Sequence, residues 1–191
     1  MIYLFDIAYN IAKQELPFTQ FSTWVNTEKK HGVLLGDTYI NDIQCKNFIN
    51  EIAFHMERDL REAIKQSPYI GIMFDGSTDA SCTERENICI KYTENGYPVT
   101  KFLGITEPEF CHADGILSSL HEKFDEFEIN LPAQLVGVSA DGASVNFGSK
   151  NGILTKLSSK MPWIINTHCT AHRLELGVKD AFRNTYFDEV Q

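Results

Sequence analysis

The chain has 191 residues and a formal net charge of −9, from 17 basic and 26 acidic side chains. That length suits one large domain, or one domain with a helical appendage. The acidic balance argues against a protein that holds nucleic acid by overall positive charge alone. With 43% hydrophobic and 12% aromatic residues, the chain can build a packed core, and disorder is not expected.

The sequence shows neither the pattern of a secretory leader nor an apolar run of membrane-spanning length, so no membrane partner is expected. The five cysteines are odd in number and form no Cys-x-x-Cys pair. A disulfide framework is therefore not expected, and the composition favours a reducing, intracellular compartment.

Residues 1–66 are predicted to form a helical lead-in. Apolar residues recur with helical spacing in the first segment, which ends at Leu16-Pro17. Residues 41–66 continue this spacing over a longer stretch and predict one amphipathic helix. Asn41 or Asp42 is suited to cap its start.

From residue 67 to residue 191 the pattern becomes rich in strands. Two β-rich runs flank Asn95-Gly96, a dipeptide typical of a tight hairpin turn. The predicted order is β-β-β-α-β-α-β-α, an α/β fold with the mixed sheet of ribonuclease-H-like proteins. The predicted elements are strands at 69–75, 87–92 and 99–105, a helix at 112–127, a strand at 134–139, a helix near 150–159, a strand at 162–167 and a helix from about 170 to 183.

Two acidic motifs each stand where an apolar run stops. Asp75 and Asp141 follow such runs, and each is followed by glycine. A buried carboxylate is costly unless a cation meets it, and a divalent metal is the usual partner of two carboxylates that lie together. The alternative is that both aspartates open turns, because Asp-Gly is an ordinary turn signal. In the predicted sheet the motifs end neighbouring strands, which favours a metal site for Mg²⁺ or Mn²⁺.

The third informative motif runs from Thr167 to His172. Cys169 and His172 are three residues apart, a spacing that places both on one side of a helix start. A structural zinc site needs four ligands, and no second pair lies nearby, so structural zinc is not expected. Two alternatives stay open: a cysteine with a locally packed or capping imidazole, and a nucleophilic pair for which no third orienting residue is evident.

The helix after this motif has an apolar side formed by Leu174, Val178 and Phe182. We expect that side to pack into the core, as is usual for an amphipathic helix. Such packing would fix the start of the helix near the acidic motifs. His172 is then expected to face the acidic pocket.

Together these motifs resemble the catalytic region of hAT-type (hobo–Activator–Tam3) transposases, especially the vertebrate transposon-derived zinc-finger proteins related to them. The resemblance covers most of residues 11–182. Its most specific part is a Cys/Asp-x-x-His motif before a leucine-rich helix. The matching motifs are Leu16-Pro17-Phe18, Phe74-Asp75-Gly76-Ser77-Thr78-Asp79, Ala140-Asp141-Gly142-Ala143-Ser144, Gly148 with Asn151-Gly152, and His168-Cys169-x-x-His172-Arg173-Leu174-Glu175-Leu176.

The resemblance implies a ribonuclease-H-like domain whose carboxylate triad binds two divalent metals, with Asp75 and Asp141 as its two aspartates. Cys169 and His172 would stand beside the active site as accessory residues that handle the flipped or hairpinned DNA end. The third acid of the family, a glutamate, follows a large helical insertion, and this sequence ends at Gln191 before one begins. The resemblance therefore implies an incomplete domain, a fragment or remnant with weak Mg²⁺ or Mn²⁺ binding and no independent catalysis.

Three functions stay open at this stage. The first is a transposase-derived domain without catalysis of its own, once or still part of a nuclear DNA-binding protein, with weak DNA binding in this chain alone. The second is part of an active metal-dependent DNA transposase or nuclease that a downstream glutamate completes. The third is a domesticated interaction module that contacts nuclear proteins or forms a homodimer. The resemblance implies the nucleus as the location of all three.

Overall fold

A computed structural model of the chain describes residues 1–78, 84–183 and 185. Asp79, the last residue of the first acidic motif, and Cys82 lie outside the described residues. The chain divides into two compact units, Met1–Glu62 and Ala63–Gln191.

The first unit is helical, and its core is formed by the apolar sides of its helices, with Phe21 and Val25 fully buried. Asn41 Oδ1 accepts a hydrogen bond from the Gln44 N–H at 2.8 Å. This contact confirms Asn41 as the cap of the long predicted helix, since it satisfies a donor of the first turn. The helices are α1 (Ile2–Lys13), α2 (Gln20–Lys30) and α3 (Asp42–Gln66).

The second unit is built on a five-stranded mixed sheet. Its strands are β1 (Ile70–Thr78), β2 (Glu84–Glu94), β3 (Tyr97–Thr106), β4 (Leu135–Ala140) and β5 (Ile165–His168). They lie in the order β3-β2-β1-β4-β5. The β1–β2 and β2–β3 pairs are antiparallel, whereas the β1–β4 and β4–β5 pairs are parallel. This topology confirms the predicted ribonuclease-H-like sheet, with β1 between the hairpin and β4.

The hairpin turn lies where the sequence predicts it. Asn95 and Gly96 connect β2 to β3 and both have positive φ, 51° and 83°. Two central residues with positive φ are what a type I′ turn requires, and Asn and Gly adopt that conformation at low cost.

One face of the sheet is buried beneath helices. Ile72 and Phe74 of β1 and Ile88 of β2 point to that face, as the two-residue period of a strand requires. Leu120 and Leu154, on two helices of the same unit, are buried as well. The helices of this unit are α4 (Ala113–Glu126), α5 (Leu131–Gln134), α6 (Ser144–Phe147), α7 (Ile153–Lys160) and α8 (Thr170–Phe182). Among the helices of residues 1–78 and 84–183, none has the length and apolar character needed to cross a membrane.

The prediction that α8 packs into the core is wrong. None of the residues described in α8 is buried. Leu174, Val178 and Phe182 are 69%, 46% and 41% exposed. Helical spacing of apolar residues predicts an amphipathic helix, but it does not determine whether another element covers the apolar side.

Candidate functional site

The two aspartates of the acidic motifs belong to neighbouring parallel strands: Asp75 lies within β1, and Asp141 directly follows β4. The parallel pairing of β1 with β4 runs up to Met73, which lies opposite Ser139. Asp75 and Asp141 each lie two residues further along the chain. Extending the register by two residues would set the two positions opposite each other, although Asp75 lies within β1 and Asp141 is the first residue after β4.

Asp75 does not lie at the end of its strand. β1 continues to Thr78 and pairs there with the start of β2. Asp75 is exposed, so it is not the costly buried carboxylate that the sequence indicated. The expectation failed because strand alternation turns Phe74 toward the core and Asp75 toward the opposite face.

Asp141 is held by the loop that follows it. Its Oδ1 accepts hydrogen bonds from Asn146 Nδ2 at 2.5 Å and from the Ala143 N–H at 3.2 Å. The Ala143 contact is an Asx turn, so the turn-opening alternative also describes Asp141. Asn146 is only 4% exposed, and the sequence analysis did not identify it. These bonds fix the Asp141 carboxylate at the carboxyl end of β4.

A single imidazole ring also packs against this loop. His168 stacks on Phe147 with ring centroids 3.7 Å apart and an interplanar angle of 12°. A Cβ at position 142 would stand 3.4 Å from His168 Nδ1, so the ring lies within van der Waals reach of the turn after Asp141. His168 belongs to the motif before α8 in the sequence, but no role was predicted for it.

The buried carboxyl group of this region belongs to Glu86 on β2. Glu86 is 6% exposed, and its Oε2 has no hydrogen-bond partner among the residues that the structure describes. The register places Glu86 opposite Gly76. A Cβ at position 76 would stand 2.9 Å from Glu86 Oε1. The Glu86 carboxyl group therefore lies against the backbone of the residue that follows Asp75.

The negative charges of Asp75 and Asp141 act on the carboxyl group of Glu86. The pKa of Glu86 is raised from 4.5 to about 7, first by burial and then by the negative charges of Asp141, Asp75 and Glu84. At neutral pH Glu86 is therefore divided between its protonated and ionised forms. Glu86 lies on the buried face of the sheet and Asp75 on the opposite face, so their interaction is one of charge and not of contact. We call these three carboxyl groups the acidic site: Asp75, Asp141 and Glu86.

Glu86 was not predicted as a site residue because the predicted second strand began at residue 87. β2 starts earlier, at Glu84. Ile88 and Ile90 face the core, and counting back by two places Glu86 on the same buried face. That alternation was the signal that would have identified it.

Cys169 and His172 follow β5, the edge strand that pairs with β4. The Cys169 N–H donates to the Ala140 carbonyl at 2.8 Å, which continues the β4–β5 pairing and places Cys169 next to Asp141 along that edge. His172 is half-buried, and its Nδ1 lies 3.8 Å from Glu175 Oε2 on the same helix. The start of α8 therefore lies beside the end of β4, as the sequence predicted. That His172 faces the acidic pocket stays a prediction.

Asp75 and Asp141 provide only some of the oxygen ligands that a hard divalent cation needs. Asp75 and Asp141 supply carboxylate oxygens, the ligands that Mg²⁺ and Mn²⁺ prefer. Within residues 1–78 and 84–183, no three His, Cys, Asp or Glu side chains converge as the ligands of one ion. Oδ1 of Asp141 already accepts two hydrogen bonds. A metal site at the two aspartates stays a prediction, in which the ion would keep most of its waters.

A mixed sheet in this order, with one aspartate in its first strand and another directly after its fourth, is that of a ribonuclease-H-like domain. A family model described as the ZMYM1/FAM200 RNase-like domain matches residues 36–152, more than half of the chain. The chain belongs to this family and is a transposase-derived RNase-like domain. The matched range includes the whole acidic site and ends before Cys169 and His172.

Proposed function

We propose that this chain is the ribonuclease-H-like domain of an hAT-type transposase-derived protein, that it binds one divalent cation at Asp75 and Asp141, and that it does not cleave DNA by itself. The observation that carries the proposal is the parallel register of β1 and β4, with Met73 opposite Ser139. Extended by two residues, that register would set the first two acids of the implied triad opposite each other, which supports the proposal.

The motif at the start of α8 supports the hAT-type assignment. In the resemblance, a Cys-x-x-His motif stands beside the active site and precedes a leucine-rich helix. Here Cys169 is hydrogen-bonded to Ala140, one residue before Asp141, and His172 follows in the first turn of α8. The family match independently supports the transposase-derived origin.

Asp75 and Asp141 would hold Mg²⁺ or Mn²⁺ weakly, because two protein carboxylates leave most positions around the ion to water. A bound ion would neutralise the two aspartates and polarise a phosphate oxygen. Strand cleavage by two metals needs ligands that hold both ions about 3.5–4 Å apart, one for the attacking and one for the leaving oxygen. One ion at two aspartates serves only one of these oxygens, so the chain by itself is expected to be inactive.

A plasmid-nicking assay tests the catalytic part of the proposal. The chain is incubated with supercoiled DNA and Mg²⁺ or Mn²⁺, beside the double variant Asp75→Asn plus Asp141→Asn. Both proteins should give the same background. Metal-dependent nicking that the double variant loses would contradict the proposal and favour the alternative, a domain of an active transposase or nuclease.

An NMR titration with Mn²⁺ tests the metal part. Paramagnetic line broadening should begin at the backbone resonances near Asp75 and Asp141 and should disappear in the double variant. Broadening that persists in the double variant would locate the ion elsewhere and contradict this assignment.

The partners follow from the same proposal. We propose a nuclear location, with DNA bound by a longer protein and only weakly by this acidic domain, whose formal net charge is −9.

A second candidate, an interaction module for a nuclear protein or a second copy, is favoured by the exposed apolar side of α8. Sedimentation velocity checks the second copy: concentration-dependent dimers that Leu174→Gln plus Val178→Gln abolishes would favour it.

A further inference from the structure

A cavity of about 530 Å³ lies between the start of α4 and the segment that joins α6 to α7. Its volume is in the range of sites that bind small molecules. His112 and Ala113 line it on the α4 side, and Ser144 and residues 148–152 line it on the other side. No residue of the acidic site lines this cavity, so the acidic site does not account for it.

The cavity lies in a locally basic part of an acidic chain. None of the described residues that line it is acidic, although the chain has 26 acidic side chains. The sequence from residue 142 to residue 174 contains neither Asp nor Glu. The charged side chains of this acid-free segment are all basic: Lys150, Lys156, Lys160 and Arg173. Such a segment gives the cavity a positive surrounding, which attracts anions.

Lys150 differs from the next lysine along the chain because it has no acidic partner. Lys156 is paired with Asp114. Lys150 lines the cavity and forms no ion pair with any residue in the described part of the chain. Its ammonium group therefore keeps its full charge for an anion that enters the cavity from solvent.

The loop that carries Lys150 is held in place by its own hydrogen bonds. The Gly148 carbonyl accepts from the Gly152 N–H and from Thr155 Oγ1, at 2.9 Å in each case. These two bonds close the loop over residues 148–152 and tie it to the first turn of α7. The backbone of Lys150 is thereby fixed beside the cavity.

His112 offers a second donor from the other side. The Gly115 N–H donates to His112 Nδ1 at 3.1 Å, so the neutral ring carries its proton on Nε2. Phe110 stacks on the same ring with an interplanar angle of 3° and restrains its orientation. Nε2 is therefore the ring nitrogen that can donate to a ligand.

We infer that this cavity binds a phosphate ester, whose phosphate group is held by Lys150 and His112. A phosphate group accepts more hydrogen bonds than a carboxylate does, which suits an ammonium, an imidazole N–H and the hydroxyl groups of Ser144 and Ser149. The cavity is much larger than a phosphate ion and leaves room for the group that the phosphate esterifies. A nucleotide and a nucleic acid strand both supply this chemistry.

An NMR titration of the full chain tests this site, with a chelator present so that no divalent cation can bridge protein and phosphate. Adenosine 5′-monophosphate should shift the backbone resonances of residues 111–113 and 148–152, whereas adenosine should not. Lys150→Gln should raise the Kd about tenfold, because it removes a charged donor to the phosphate. Lys160→Gln is the matched control, since it removes the same charge from the acid-free segment outside the cavity wall. Its Kd should stay within about twofold of wild type.

Three results would overturn the proposal: no shifts with the nucleotide, equal shifts with adenosine, or equal losses in the two lysine variants, which would indicate general charge attraction. Once Lys150→Gln is shown to weaken nucleotide binding, a single-stranded oligonucleotide identifies the source of the phosphate. Weaker oligonucleotide binding by Lys150→Gln than by Lys160→Gln would indicate a nucleic acid strand, and equal binding would indicate a small phosphate ester. The proposed metal site is tested separately, because the chelator removes its ion.

Discussion

Glu86 and Gly76 lie opposite each other across the β1–β2 pair, and the carboxyl group of Glu86 occupies the space that a side chain at position 76 would need. The contact joins the one buried acid of the acidic site to the residue that follows Asp75. It also makes the fit between the two strands sensitive to single methyl groups at this point.

Gly76→Ala should destabilise the protein by about 1 kcal/mol, because its Cβ would stand 2.9 Å from Glu86 Oε1 and the buried carboxyl group would have to move. The cost should shrink in a Glu86→Ala background, as a double-mutant cycle by urea unfolding would show. Gly71→Ala on the same strand is the control, since its nearest contact would be 3.6 Å away. Equal costs of Gly76→Ala in both backgrounds would contradict the contact.

The stability of the protein should fall with rising pH because of Glu86. Its pKa in the folded protein, about 7, exceeds the ordinary value of 4.5, so the native state binds this proton more tightly than the unfolded chain does. The contribution is fully present below about pH 4.5 and is lost as the pH rises through about 7.

Urea unfolding of wild type and Glu86→Gln, with a chelator present, measures this contribution. Between about pH 5 and pH 8, wild type should lose about 2 kcal/mol relative to the variant, because other titrating groups cancel in the difference. A difference that does not change with pH would show that Glu86 titrates normally.

Asn146→Ala should cost about 2 kcal/mol in the free energy of unfolding. The variant removes a buried donor to the charged Asp141 carboxylate, a bond now 2.5 Å long. Asn166→Ala is the matched control, because Asn166 also donates to a side chain, Ser158 Oγ at 2.7 Å, but is exposed. Its cost should stay within about 0.5 kcal/mol. Equal costs for the two variants would contradict the role assigned to Asn146.

The same substitution on two helices distinguishes buried from exposed apolar sides. Leu154→Ala on α7 should cost about 2–5 kcal/mol, because Leu154 is 2% exposed and its removal leaves a cavity. Leu174→Ala on α8 should change stability by less than about 0.5 kcal/mol, since Leu174 is 69% exposed. Thermal or urea unfolding checks both, and a large cost at Leu174 would show that α8 packs as the sequence predicted.

The parts of the fold that were predictable are those with local signals. The hairpin follows from Asn95-Gly96, which adopts the two positive φ values that its turn requires. The sheet order follows from the likeness of the predicted order of strands and helices to the ribonuclease-H-like fold, in which the first and fourth strands are neighbours. α8 was predicted to be buried because its pattern is amphipathic, yet a pattern on one helix does not specify what covers it.

The acidic site, too, was predictable only in part. Asp75 and Asp141 were found because each stands in a short motif of strand, acid and glycine. Glu86 depends on a contact between strands: it is buried opposite Gly76, and its pKa responds to Asp141, a distant residue in sequence. No short motif encodes that arrangement, which appears only when the register of β1 and β2 is known.

The hydrogen bond from the Cys169 N–H to the Ala140 carbonyl connects the start of α8 to the end of β4, directly before Asp141. That carbonyl belongs to the peptide unit linking Ala140 to Asp141, so a force that tilts or pulls α8 reaches the backbone of Asp141 without passing through any side chain. β5 is only four residues long, and few other bonds in its ladder share the load. Mechanical strain on α8 would therefore concentrate at the peptide that positions one of the two aspartates.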